Sequence, residues 1–483
     1  MAMDDRSVPR DEGGARQKLF AGGRLKRLRR TLGLTQGRMA EELGVSVSYL
    51  NLIEGNQRPL TARLVLKLAE VYDIDVRTLA SEQDEGAAAE LAEAFADPIL
   101  REHAPSRHEL RELVETHPTA ATAIGLLYRA YRQVMTRATE GGGDPDHGAG
   151  GGVGPNERLR DYMQSMRNYF PTLDERGETL AEELDLPRAD AFAVLSDRLL
   201  SRHGYRVRVL PCEVLGDTLR RIDRHRRELH LSELLDPAGR AFQAGYFLGL
   251  LEANDDIGRL VKEAKFEGAE AQLARVMLAN YFSGAVLLPY GTFLSAAESL
   301  GYDLEVLACR FGASIEQIAH RLTNLQRPTE RGVPFFFLRV DRAGNVSKRF
   351  SAGKFHFSAF GGTCPLWNVH EAFQRPARIL SQIVETPDGA RYFTIARTVP
   401  KAAARHGTPK AYHAIALGCD LKYAERLVYA KGFDLKAPDP TLIGVNCALC
   451  ERPSCPARAA PPLGRPLVVD ERVRGLSPFL FEL

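Results

Sequence analysis

Apolar positions from residue 23 onward recur at helical spacing. Leu25, Leu28 and Leu32 share one face of a first helix, with Arg24, Lys26, Arg27, Arg29 and Arg30 mostly outward. Thr35 can cap a second helix, with Leu34 and Met39 packing near its start. Gly44 makes the turn, and Ser46 can cap a third helix over Val47–Glu54. Leu50 and Ile53 fall on its buried side, Val47, Ser48 and Asn51 opposite, Tyr49 and Leu52 flanking. Residues 82–95 are acidic and helix-prone, and 118–140 again show helical spacing. GGGDPDHGAGGGVGP, residues 141–155, cannot build a core and reads as a flexible joint or exposed loop. The chain then reads as mainly helical to about residue 330. PFFFLRVDRAGNVSKRF, residues 334–350, predicts two strands around a Gly-Asn turn, and GARYFTIARTVP, residues 389–400, another strand.

The pattern predicts a multidomain chain. It comprises a flexible arm (1–15), an all-α helix-turn-helix domain (16–81) and a helical linker or oligomerisation region (82–140). After the Gly-rich loop (141–155) come a mainly helical middle domain (156–330) and an α/β C-terminal domain (331–483). With 483 residues, 44% of them apolar, there is material for several cores. Seven cysteines are too few for a secreted disulfide scaffold. No apolar segment follows Met1 and no run reaches membrane-spanning length, so the expectation is a soluble cytoplasmic protein. A net charge of +2 says little; its distribution, with basic residues crowded on the first helix, says more.

A helix-turn-helix places its third helix in the DNA major groove, where short side chains near its start reach base edges. Asn51 can pair its amide with adenine, Ser48 can donate or accept, and Ser46, Val47 and Tyr49 lie on or beside the same face. Gln36 and the basic first helix, Arg24 and Arg27 included, would hold phosphates and set register. The basic helix, the Thr-Gln helix start and the run SVSYLNLIE resemble the phage-repressor-like, xenobiotic-response-element class of regulators. That class pairs two modules on a near-palindromic site, so at least a homodimer is expected, with residues 118–140 the candidate surface.

Five of the seven cysteines lie after residue 360: Cys364, Cys419, Cys447, Cys450 and Cys455. Cys212 and Cys309 read as core. CALCERPSC, residues 447–455, has two thiols separated by two residues and a third close by. A fourth ligand must come from elsewhere: Cys364 in GGTCPLW, Cys419 in ALGCDLKYAERLVYA at or near a helix start, or His356, His370 or His413. Structural zinc takes four such ligands. A 4Fe–4S cluster does too, often with a proline after one cysteine, as Pro456 follows Cys455. Free thiols in an ordinary turn are the third reading, and spacing alone does not separate zinc from iron–sulfur.

GGTCPLWNVHEAF, PDGARYFTIARTV, YHAIALGCDLKYAERLVYAKG and IGVNCALCERPSCPARAAPP resemble the short-chain fatty acyl transcriptional regulator family. The resemblance implies a repressor-like helix-turn-helix, a metallopeptidase-like middle domain and a C-terminal cysteine domain. It also implies control of propionyl-CoA, methylcitrate or glyoxylate-cycle genes, an acyl-CoA effector and an iron–sulfur cluster, with zinc the alternative. The preferred ligand set is then Cys364, Cys447, Cys450 and Cys455, with Cys419 the rival for one place. The peptidase motif H-E-x-x-H falls on RAFQAGYFLGLLE, residues 240–252, where Tyr246, Phe247 and Leu250 replace the zinc ligands and the base. No hydrolase, and no enzyme, is expected. A scaffold kept without its catalysts invites a ligand. Tyr246 would face it, and Lys262, Lys265, Lys354 and Arg375 are candidate contacts for CoA phosphates. The competing readings are a redox-sensing DNA-binding protein without an acyl-CoA ligand, and an acyl-CoA enzyme fused to a DNA-binding domain.

Overall fold

Capping residues set the helices of the N-terminal part where the sequence puts them. In the computed structural model, Thr35 Oγ1 accepts from the Arg38 amide (3.3 Å) and Ser46 Oγ from the Tyr49 amide (3.1 Å). Gly44, at φ 62°, ends the second helix in the left-handed conformation that favours glycine. The structure describes residues 22–32, 34–55, 57–72, 83–95, 97, 100, 105–139, 155–186, 190–353, 355, 357, 363–400, 406–409, 411–444, 446–448, 450–462, 466–469, 471–477 and 479–481. The expected arm (1–15) and nearly all of the Gly-rich segment (141–155) lie outside them.

The chain forms two compact units, Met1–Arg132 and Gln133–Leu483. The first holds α1 (Gly22–Thr31), α2 (Gln36–Leu43), α3 (Val47–Glu54), α4 (Ala62–Tyr72), α5 (Gln83–Phe95), α6 (Arg107–Thr116) and most of α7 (Pro118–Thr139). Leu25, Met39, Leu43, Leu50, Ile53, Leu64 and Leu68 make one core across α1–α4. Leu91, Leu110, Val114 and Ala121 make a second across α5–α7. The outward placement expected for Arg29 is corrected: its guanidinium turns inward onto buried Glu54.

The second unit opens with α8 (Pro155–Ser165), α9 (Pro171–Glu183), α10 (Ala191–His203), β1 (Arg206–Leu210), α11 (Cys212–Leu215), β2 (Arg220–Asp223) and β3 (Glu228–Ser232). There follow α12 (Pro237–Glu252), α13 (Asn254–Glu263), α14 (Gly268–Leu287), α15 (Tyr290–Ser299), α16 (Leu304–Phe311) and α17 (Ile315–Thr323). The middle region is therefore not helical throughout. It carries a three-stranded sheet, order β1-β3-β2, with β1 parallel and β2 antiparallel to β3. Cys212 is buried as expected; Cys309 is exposed, on α16.

The C-terminal part adds β4 (Phe336–Val340), β5 (Val346–Ser351), α18 (Asn368–Glu371), β6 (Leu380–Glu385), β7 (Arg391–Pro400), β8 (Tyr412–Asp420), β9 (Thr441–Leu442), β10 (Leu467–Val468) and β11 (Leu480–Phe481). Six of these strands form a sheet of order β5-β4-β8-β7-β6-β9. Asp341 closes the β4–β5 turn by accepting from the amides of Ala343 and Asn345, each at 2.9 Å. Alternation along the strands gives the sheet two apolar faces. Phe335, Phe337, Phe393, Ile395, Ile415 and Leu417 face one way, into a core shared with Tyr290, Phe293, Leu307, Ile318 and Leu322. Phe336, Leu338, Tyr392, Ala396, Ala414 and Ala416 face the other, with Phe355, Trp367 and Cys364. The boundary expected at 330/331 therefore does not separate two cores.

Within that unit Arg321 on α17 donates to both oxygens of Asp174 on α9, at 3.0 and 2.7 Å. Tyr281 on α14 donates to the same carboxylate at 2.6 Å, and Arg321 Nε to the Leu288 carbonyl at 2.8 Å. Burial opposes the Arg321 charge, but Asp174 outweighs it and raises the guanidinium above its usual value. Arg321→Met leaves the fully buried Asp174 carboxylate without its cation. It is expected to destabilise the unit by about 3–5 kcal/mol, read as a lower urea midpoint at unchanged slope.

Candidate DNA-reading face and thiol pocket

α3 presents Ser48 and Asn51 to solvent, with Val47 49% exposed beside them and Tyr49 half-buried. The face is braced from beneath. Gln36 Nε2 donates to Asn51 Oδ1 (3.2 Å) and to Glu54 Oε2 (2.9 Å). Glu54, only 7% exposed, also accepts from Arg29 Nε (2.7 Å) and Nη2 (2.9 Å), while Arg29 Nη1 reaches the Leu34 carbonyl (3.1 Å). Hydrogen bonding to Glu54 raises the Arg29 guanidinium above its usual value against the opposing effect of burial. Gln36 is thus tied to the reading helix rather than standing free. Arg27 is half-buried on α1; Arg24 lies on α1, but its side chain is outside the described residues. The sequence reading missed the Arg29–Glu54 clamp, although Glu54 stands four residues after Leu50, on the inward face.

The thiol pocket is assembled from distant segments. Beyond β9, which pairs parallel with the end of β6, the chain runs through Gly444 into the cysteine loop. Cys364, Cys447, Cys450 and Cys455 line one cavity with Pro365, Leu442, Gly444, Asn446, Arg452 and Arg458. Backbone N–H groups of Gly444 and Leu366 point at the Cys364 sulfur, and the Ala459 amide donates to Cys447 Sγ at 3.4 Å. Burial pushes the Cys364 thiol up; those two amides oppose it, and Cys447 and Cys450 add to it. A Cβ at Gly444 would lie 2.7 Å from Cys450 Cβ and 2.9 Å from its sulfur, so the loop closes only over glycine. Four thiols with backbone donors at two sulfurs suit a thiolate-held metal centre; no three of these sulfurs lie all within 4.8 Å of one another, a spacing that suits an iron–sulfur cluster better than a single zinc.

Cys419 does not join them. It lies in strand β8, not at a helix start, and with Ile415 and Leu417 it faces the opposite core. Burial pushes its thiol well above the usual range. Of the histidines, His370 pairs with Thr363 Oγ1 at 2.7 Å, His413 is in β8, and neither lines the cavity; His356 is outside the described residues.

The middle-domain candidates fall elsewhere. Tyr246 is buried on α12, with the Arg220 guanidinium 3.5 Å from its ring centroid. Burial lowers the Arg220 value, and the phenol opposes that. Phe247 packs edge-on against Tyr205 at 4.8 Å, and Leu250 packs partly buried against the same core. Tyr246 therefore faces a cation of its own chain, where a free ligand-binding phenol was expected. Lys262 and Lys265 are exposed at the end of α13; Arg375 is exposed and pairs with Glu371 at 3.3 Å. None of the three lines the thiol cavity, and Lys354 is outside the described residues.

Residues 324–479 match the family described as short-chain fatty acyl coenzyme A regulator, C-terminal. Residues 200–323 match the IrrE N-terminal-like domain, and 21–81 a helix-turn-helix domain. The HTH-type transcriptional regulator RamB of Mycobacterium tuberculosis is 44% identical over 96% of this chain and 99% of its own. The chain belongs to the short-chain fatty acyl-CoA regulators. A propionyl-CoA carboxylase regulator of Cereibacter sphaeroides is 42% identical over 96% of this chain and 99% of its own. The HTH-type transcriptional regulator PrpR of M. tuberculosis is 38% identical over 96% of both. A solved M. tuberculosis transcriptional regulator superposes with TM-score 0.65 at 40% identity, covering 68% of this chain and 99% of that one. This regulator is thus a helix-turn-helix DNA-binding protein of short-chain fatty acyl-CoA metabolism, not an enzyme, and its relatives are named as regulators. Among the described residues no helix is long and apolar enough to cross a membrane.

Asn51→Ala is expected to weaken binding to a site selected from a random duplex pool by about 1–3 kcal/mol and to broaden base preference. Gln36→Ala should cost less affinity but also broaden preference, since Asn51 loses its brace. Fluorescence anisotropy at fixed salt checks both. Unchanged preference in Gln36→Ala would make the brace a packing feature only.

Proposed function

We propose that this regulator holds a 4Fe–4S cluster on Cys364, Cys447, Cys450 and Cys455, binds a short-chain acyl-CoA as effector, and acts on operator DNA as a homodimer. The observation that carries the cluster reading is the meeting of four thiols from segments some eighty residues apart around one cavity. The cluster would supply a redox-sensitive tie between those segments; the chain's own part is to shield the sulfurs and donate to them from backbone amides. The effector works by binding one state of the regulator better than another, which shifts its affinity for the operator. The name of the propionyl-CoA carboxylase regulator supports propionyl-CoA over acetyl-CoA as the effector. The dimer reading is supported by the need of such modules for two half-sites, and by α7, where Leu127 is 72% exposed.

A redox-sensing regulator without acyl-CoA is favoured by one observation. Tyr246 is covered by Arg220, and Arg375 already pairs with Glu371, so two of the five candidate effector contacts have partners of their own.

Protein purified without oxygen is expected to contain about four irons and four sulfides per chain with a broad visible band. Cys450→Ser should lose both; one zinc and no iron would overturn the cluster. Calorimetric titration of that holo protein with propionyl-CoA should give saturable binding that changes operator affinity. No heat at millimolar acyl-CoA, with operator binding that follows cluster oxidation, would replace the effector reading by the redox one.

A further inference from the structure

Two arginines stand against the thiol cavity without carboxylate partners. Arg458 is only 3% exposed, and Arg452 is half-buried. Among the described residues neither makes an ion pair, and the Nε of each is buried with no hydrogen-bond partner. Both terminal nitrogens of Arg458, and Nη2 of Arg452, donate to backbone carbonyls. Arg458 donates to the carbonyls of Cys447 (3.2 Å), Arg452 (2.6 Å) and Ala460 (3.5 Å), and its guanidinium lies 5.0 Å from the Phe481 ring centroid. Arg452 donates to the Glu385 carbonyl at 2.9 Å, where β6 meets β9. Carbonyls and a ring face hold the groups in place but bring no full negative charge. A guanidinium held out of water gains most from a full negative charge nearby, so two such groups on its wall suit this cavity to an anionic centre.

We propose that Arg452 and Arg458 are the charge-compensating residues of the thiol-held centre and thereby set how readily it accepts an electron. The proposal rests on the cluster reading above. Four thiolates around a doubly charged iron–sulfur core leave two net negative charges, which the two guanidinium groups match. One-electron reduction adds a third, so fixed cations favour the reduced form and raise the potential. These are positioning residues: they touch the centre through space and through the loop they brace, and they donate no ligand atom.

The test is a potentiometric titration of the full-length, anaerobically loaded protein against a mediator-buffered one-electron reductant, followed by absorption and electron paramagnetic resonance. Arg452 makes one backbone contact, so Arg452→Gln removes charge with the least damage to the loop. It is expected to keep wild-type iron and sulfide content and to shift the ratio of reduced to oxidised centre about tenfold toward oxidised at a given potential, ~59 mV for one electron. Arg452→Lys and Arg458→Lys keep the charge and should titrate close to wild type. A fully loaded Arg452→Gln with an unmoved potential overturns the proposal while leaving the cluster intact. So does Arg458→Lys shifting as far as Arg452→Gln, because charge would not be the cause. If Arg452→Gln fails to load iron, equal failure of Arg452→Lys overturns the proposal, and native loading and potential in Arg452→Lys supports it. Wild-type protein with zinc and no iron overturns the cluster reading itself, and the proposal with it.

Discussion

The pleat of the six-stranded sheet decides which side chains can meet in the C-terminal part. Successive residues of a strand point to opposite faces. In PFFFL, Phe335 and Phe337 therefore enter the core shared with the middle helices, while Phe336 and Leu338 enter the core beside the thiol cavity. The neighbouring strand β8 obeys the same rule: Ala414 and Ala416 face the thiol side, Ile415, Leu417 and Cys419 the other. Gly418, paired with Phe336 across the ladder, has no side chain because the Phe336 ring occupies the space. Phe336 then stacks on Phe355, with Trp367 and Tyr392 around it, and this aromatic block carries the segment leading from Cys364.

The same sheet removes any simple hinge between the middle and C-terminal regions. Its second face is filled by α15, α16 and α17, and Arg321 on α17 is fixed by Asp174 on α9. Close-packed cores resist small displacements and transmit them. A ligand or metal centre that alters one region would be felt across this shared core. The homology boundary at 323/324 therefore marks descent and not mechanical independence.

In the first unit the corresponding constraint is polar. Glu54 is buried among the helices and would be costly there without the two Arg29 bonds and the Gln36 amide. That arrangement couples α1, the start of α2 and the end of α3, and leaves Gln36 in contact with Asn51 on the outer face.

The sequence by itself determined whatever depends on neighbours a few residues away. The caps at Thr35 and Ser46, the turn at Gly44, the buried Leu50 and Ile53, the outward Ser48 and Asn51, and the β4–β5 hairpin all rest on local hydrogen bonds and helical or strand periodicity. So does the loss of the peptidase motif at Tyr246, Phe247 and Leu250, where the chemistry is written in the residue types. Only tertiary structure decided the contacts made over long separations. Cys364 and Cys419 both precede the cysteine loop and both offer a fourth thiol in sequence terms, and strand parity sends Cys419 into the opposite core. Arg29, one of five basic residues on its helix, turns inward because Glu54 is buried beside it. The middle region's small sheet and Arg220 over Tyr246 likewise depend on which segments come to lie side by side, and no local period records that.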